Sequence, residues 1–269
     1  MASPLRGTRK RPKPRAMPKD TSAPPNNLIG VGLLATAIAL GAALALGPPS
    51  KTPLTFGFVM VGWVLAVMAH EFGHAAVAYL AGDHTVRAKG YLSFDPRRYG
   101  DIGTSLVIPL IALALGGIGF PGGAVYLRND LMRSPAWRAA ASLAGPGATL
   151  AVLVVLAIVL GAWSRIALPG PLFDAIAMLA FLQAMALILN LLPLPGLDGF
   201  NAIRPFMPAS WNPALRRLDS LALLILLAAV FFVPGFSDLL FGGAATVANL
   251  LGVPLDAMQG GWDAFHFWR

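Results

Sequence analysis

The stretch that most constrains this chain is His70-Glu71-Phe72-Gly73-His74, set toward the C-terminal end of an apolar run over residues 54–81. That run is long enough to cross a bilayer as a helix. On a helix the two histidines stand one turn apart on a single face, with Glu71 beside them. This is the H-E-x-x-H spacing in which two imidazoles hold a zinc ion and the carboxylate serves as general base on the metal's water. Ionisable side chains inside an apolar helix are costly and usually functional, which sets this occurrence apart from idle ones in soluble helices.

The rest of the chain shares that setting. Of its 269 residues 57% are hydrophobic and 12% charged, about half the charged share of a soluble domain. Further apolar runs cover Leu28–Leu46, 137–160, 173–192 and 218–233, with a weaker one at 236–255. The expected fold is an all-α polytopic membrane protein of about six transmembrane helices. The absence of cysteine excludes disulfides and cysteine-ligated zinc.

The net charge of +8 comes largely from Arg6, Arg9, Lys10, Arg11, Lys13, Arg15 and Lys19, set among prolines. Such a stretch cannot bury a core, so residues 1–27 read as a disordered tail that keeps the N-terminus in the cytoplasm. No aromatic residue is available there to stack on bases, and no specific nucleic acid is expected. The remaining divisions are a first span with its connector over 28–53, a metal-bearing membrane core over 54–200, and C-terminal helices over 201–269.

Topology tests the metal reading. With the N-terminus inside, the second span returns to the cytoplasm and carries His70 and His74 toward that side. Residues 102–120 are apolar but broken by Pro109, Gly116, Gly117 and Gly119. Such a segment is tolerated at membrane depth only where protein or water satisfies its backbone. If it is re-entrant or interfacial, between the second and third spans, then Asp198 emerges on the same side as the histidines. The same model leaves Arg128, Arg133, Arg138, Arg204, Arg216 and Arg217 in the cytoplasm, as the positive-inside preference requires. A full crossing would export several of them.

Asp198 is therefore the expected third ligand of one zinc ion, leaving a fourth position for water. Alone it would pass for an ordinary Asp-Gly turn; the upstream motif changes that reading. Glu71 is the expected catalytic base. Asn190 carries a donor and an acceptor suited to an extended substrate backbone, though a helix-bridging role is the plainer alternative. His84 and His266 read as surface residues, and residues 91–94 as a short extended segment.

His70-Glu71-x-x-His74 together with Asn190-x-x-Pro193-x-Pro195-x-x-Asp198-Gly199 resembles the site-2 protease family of intramembrane zinc metalloproteases, and Gly145-Pro146 resembles that family's intervening helix. The likeness covers about residues 54–199. It implies His70, His74 and Asp198 as zinc ligands, Glu71 as catalytic base and Asn190 as a substrate contact. It also implies an integral protein of a bacterial cell membrane, and the topology above sets its active site toward the cytoplasm. The implied substrates are transmembrane segments of membrane-tethered proteins, such as anti-sigma factors or tethered regulators. Thr149 stands where the family commonly has asparagine. The short loops leave no room for a PDZ insertion, as in the compact bacterial branch. The alternatives are a metal-dependent membrane hydrolase of a non-protein substrate and a non-catalytic membrane scaffold.

Overall fold

The computed structural model describes residues 27–47, 53–99, 110–111, 113–114, 125–266 and 268. The basic tail and most of the 102–120 segment lie outside the described residues. Ten α-helices are described: α1 Leu28–Leu46, α2 Pro53–Ala81, α3 Thr85–Ala88, α4 Pro135–Trp163, α5 Pro171–Leu191, α6 Asp198–Ile203, α7 Asn212–Ser220, α8 Ala222–Phe232, α9 Phe236–Leu250 and α10 Leu255–Phe265. Among the described residues there is no strand. Helices α1, α2, α4 and α5 are long and apolar enough to cross a bilayer.

Local chemistry explains where these helices begin. Pro135 and Pro171 occupy first-turn positions, where a missing N–H costs nothing and φ is already helical. Ser134 caps α4 by accepting the Trp137 N–H through its hydroxyl at 3.3 Å. The C-terminal apolar runs behave differently from expectation. Residues 218–233 break at Leu221 between α7 and α8, and 236–255 break after α9. Helix α8 has 11 residues and α9 has 15, or about 16 and 22 Å at 1.5 Å per residue, short of a hydrocarbon core about 30 Å thick.

Helix α5 is the centre of the bundle. It is apolar on every side and accordingly enclosed, with α4, α9 and α10 packed around it. Helices α1 and α4 instead expose apolar side chains along their length, among them Val31, Leu34, Ile38, Leu150, Val155 and Ile158. Such an outer surface suits lipid rather than water.

Three contacts fix relative directions. The Arg133 N–H donates to the Ala81 carbonyl at 3.0 Å, so the end of α2 and the start of α4 lie side by side and the two helices are antiparallel. The Phe94 N–H donates to Asn27 Oδ1 at 3.1 Å, which sets the start of α1 at that same end. Helix α5 finishes there too, because Asp198 meets the histidines of α2. Leu110 and Leu113, described within the broken segment, pack with Val59, Trp63 and Met178 in the core between α2 and α5.

Two local expectations are corrected. Residues 91–94 form turns rather than an extended segment. The Tyr91 N–H closes on the Val86 carbonyl, Ser93 Oγ donates to Gly90 O at 2.6 Å, and Tyr99 Oη donates to Ser93 O at 2.6 Å. His84 is exposed as expected, whereas His266 is buried. The aromatic C-terminus folds back so that Phe265 and Trp268 pack on Phe56 of α2, enclosing His266 beside Trp262.

Candidate metal centre

Helix α2 supplies His70, Glu71 and His74, and it turns both histidines toward α4. The two helices approach closely because small residues meet between them. At Gly145 a Cβ would come within 2.6 Å of His70 Nε2 and overlap His74 Nε2; only glycine leaves room for both rings. Helix α4 also sets the orientation of each ring. His74 Nδ1 lies 2.7 Å from the Ala141 carbonyl oxygen, and His70 Nδ1 lies 2.9 Å from Thr149 Oγ1. A carbonyl only accepts, so neutral His74 carries its proton on Nδ1 and presents a bare Nε2. His70 presents the same nitrogen when its Nδ1–H donates to Thr149.

The third group arrives from beyond α5. The proline-broken turn after Leu191 reverses the chain and returns Asp198, at the start of α6, to the histidines. Asp198 Oδ2 lies 3.1 Å from His70 Nε2 and 3.3 Å from His74 Nε2. The two Nε2 atoms are 3.0 Å apart. With both Nδ1 atoms protonated, neither Nε2 can donate to the other, so three lone-pair donors converge without a proton to share. Asp198 Oδ2 is also fully buried and, apart from the two Nε2 atoms facing it, has no polar partner among the described residues. Converging anionic and lone-pair atoms are unfavourable unless a cation sits among them.

The spacing suits zinc. Nitrogen and oxygen ligands about 2.0–2.1 Å from a tetrahedral ion stand about 3.3 Å from one another, close to the separations found. Two imidazoles and one carboxylate are a donor set of hydrolytic zinc sites, which keep the fourth position open. His70, His74 and Asp198 can therefore hold the ion.

Glu71 is 2% exposed, and its Oε2 accepts the Val125 N–H at 3.2 Å. Residues 125–128 form a strap across the site, held to the end of α2 because Asp83 Oδ2 accepts the Arg128 N–H at 2.7 Å. Beneath the strap is a cavity of about 830 Å³ bordered by His70, Glu71, His74, Asn190 and Asp198. All five residues singled out from the sequence thus face one space.

Relatives share this chain along most of its length. Rip2 of Mycobacterium tuberculosis, named as a candidate zinc metalloprotease, is 40% identical over 247 residues, covering 89% of this chain and 93% of its own. Rip2 of Mycolicibacterium smegmatis, named likewise, is 37% identical over 88% of this chain and 92% of its own. The chain belongs to the site-2 protease type of zinc metalloprotease family. A more distant member, YwhC of Bacillus subtilis, also named as a candidate zinc metalloprotease, is 26% identical over 65% of this chain and 80% of its own. No family model matches the chain, and no solved structure does.

In the sequence Thr149 stands out only as a departure from the family's asparagine; its hydroxyl against His70 gives the position a structural meaning. The Ala141 carbonyl, the Asp83 anchor and the Val125 N–H carry no sequence signature of their own. Backbone groups can do their work under any side chain.

Proposed function

We propose that this protein is an intramembrane zinc endopeptidase that hydrolyses peptide bonds within or next to transmembrane segments of membrane-tethered proteins. The observation that carries the reading is the meeting of His70, His74 and the orphaned oxygen of Asp198 beside Glu71, in a cavity enclosed by membrane-length apolar helices. Zinc held by the three ligands supplies Lewis acidity toward a carbonyl and lowers the pKa of water. Glu71 takes up the proton of the attacking water and delivers it to the leaving nitrogen. Thr149 and the Ala141 carbonyl keep both imidazoles aimed. Asn190 hydrogen-bonds the extended substrate backbone, and the strap over residues 125–128 limits bulk water.

The same reading assigns sides. The start of α1, the end of α2 and the site share one end of the bundle. The basic tail favours the cytoplasm for that end, so the active site faces the cytoplasm. The adjacency of Ala81 and Arg133 supports a segment between α2 and α4 that returns to its own side, as a re-entrant or interfacial stretch does. The substrate class is a single-span protein such as an anti-sigma factor or another tethered regulator.

The test compares protein termini in membranes from cells carrying the wild type or Glu71→Gln. Single-span proteins should accumulate intact in the variant, while the wild type generates new termini inside their spans. A loss of about 10²–10⁴-fold in turnover is expected from removal of a general base, with zinc content unchanged. Indistinguishable termini at equal expression and full zinc loading would turn the reading toward hydrolysis of a non-protein substrate.

A further inference from the structure

The cavity does not stop at the metal ligands. On α2 its walls are Trp63, Ala66, Val67, His70, Glu71 and His74, spaced as one helical face. On α5 they are Gln183, Ala186 and Asn190, again one face. Each stripe runs seven residues back from the site, from His70 to Trp63 and from Asn190 to Gln183. That is about 10.5 Å along each helix axis, toward the middle of the spans. A Cβ on Gly62 would lie 2.6 Å from a Leu179 methyl carbon, so Trp63 and Gln183 lie within about one helical turn of each other along the bundle. The cavity therefore extends from the metal centre into membrane depth along α2 and α5, and Leu110 and Leu113 pack with Trp63 at its inner end.

Its inner end is polar, against expectation for that depth. Trp63 and Gln183 are each 2% exposed, and the Trp63 indole nitrogen and Gln183 Nε2 have no hydrogen-bond partner among the described residues. A buried donor left unpaired costs about 1–3 kcal/mol, and no bulk water reaches this level in a bilayer. Between these donors and the site the walls are small and apolar, Ala66, Val67 and Ala186.

A stretch of unwound polypeptide complements this arrangement. A helical substrate satisfies its own carbonyls; an extended one exposes them where the bilayer offers no donor. At about 3.3 Å per residue, 10.5 Å corresponds to about three extended residues. We propose that Trp63 and Gln183 form a second backbone-binding subsite, which receives carbonyls about three residues from the scissile bond on its membrane-interior side. The proposal rests on the endopeptidase reading and adds its substrate requirement. The span must be extended for about three residues beyond the cut.

The experiment uses the full-length zinc-loaded protein in detergent micelles and two labelled synthetic peptides. The long probe carries an apolar Leu/Ala span interrupted by Gly-Pro; the short probe ends two residues into that span. Binding is measured on the Glu71→Gln background, so that it does not depend on turnover, and cleavage is measured with Glu71 intact. Gln183→Leu keeps nearly the same volume and Trp63→Phe keeps an aromatic ring, and each removes the donor. Each should reduce the long-over-short binding preference about tenfold, the scale of one hydrogen bond, with zinc content equal to the parent's. An unchanged preference in both variants overturns the subsite, as does loss of zinc or equal weakening of both probes, which marks a structural role. Binding of the long probe without cleavage when Glu71 is present would instead overturn the endopeptidase reading and leave the subsite standing.

Discussion

At the scale of single residues, the metal centre depends on two positions in α4 that bear no charge. Gly145 faces the histidine rings with no space for a methyl group. Gly145→Ala should displace both Nε2 atoms and weaken zinc binding by at least about 100-fold, at the upper end of what outer-shell changes cost. Metal analysis after dialysis against a chelator measures this, and far-UV circular dichroism should stay helical. Thr149→Val should lower zinc affinity about 10–100-fold by removing the oxygen that orients His70, and Thr149→Asn should restore much of it, since an amide oxygen accepts as well. His70, Glu71 and His74 are readable because helical spacing alone brings them together. The partners that aim them lie 79 and 67 residues away; Thr149 was visible only as a departure from pattern and the Ala141 carbonyl not at all. Asp198 became readable through topology, since only a returning 102–120 segment lets it reach the histidines.

At the scale of elements, apolar length marked four spans well and the C-terminal helices poorly. The run Leu28–Leu46 is a single helix as read, and α4 and α5 begin two residues earlier than their apolar runs because Pro135 and Pro171 start them. Within 218–233 and 236–255 the apolar composition continues while the helix does not, and composition reports the solvent a residue prefers rather than the continuity of its backbone. Close contact between α2 and α4 is a matter of small residues. A Cβ on Gly73 would lie 2.6 Å from the Ala144 carbonyl oxygen and 3.1 Å from the Ala148 Cβ. Gly73→Val should therefore wedge the helices apart at a cost of about 1–3 kcal/mol. A lower melting temperature in detergent, accompanied by reduced zinc occupancy, is the expected result. A variant that melts earlier but binds zinc normally would show that the wedge is absorbed away from the histidines.

At the scale of the whole molecule, one arrangement joins charge, helix direction and chemistry. The start of α1, the end of α2, the start of α4 and the end of α5 gather at the metal end of the bundle. Arg87, Arg97, Arg98, Arg128 and Arg133 lie in the segment joining α2 to α4 at that end, whereas Arg165 follows α4 at the other. A charge bias of this kind orients membrane proteins with the basic end inward. The chain contains no cysteine, so a single introduced thiol reports its own side without background. Asp130→Cys, in the exposed turn before α4, should resist a membrane-impermeant maleimide in intact cells and label after lysis. Ala167→Cys, beyond the far end of α4, should label in intact cells. The reverse pattern would put the metal centre on the outer side. Labelling of both positions in intact cells would mean that α4, the helix between them, does not cross the membrane.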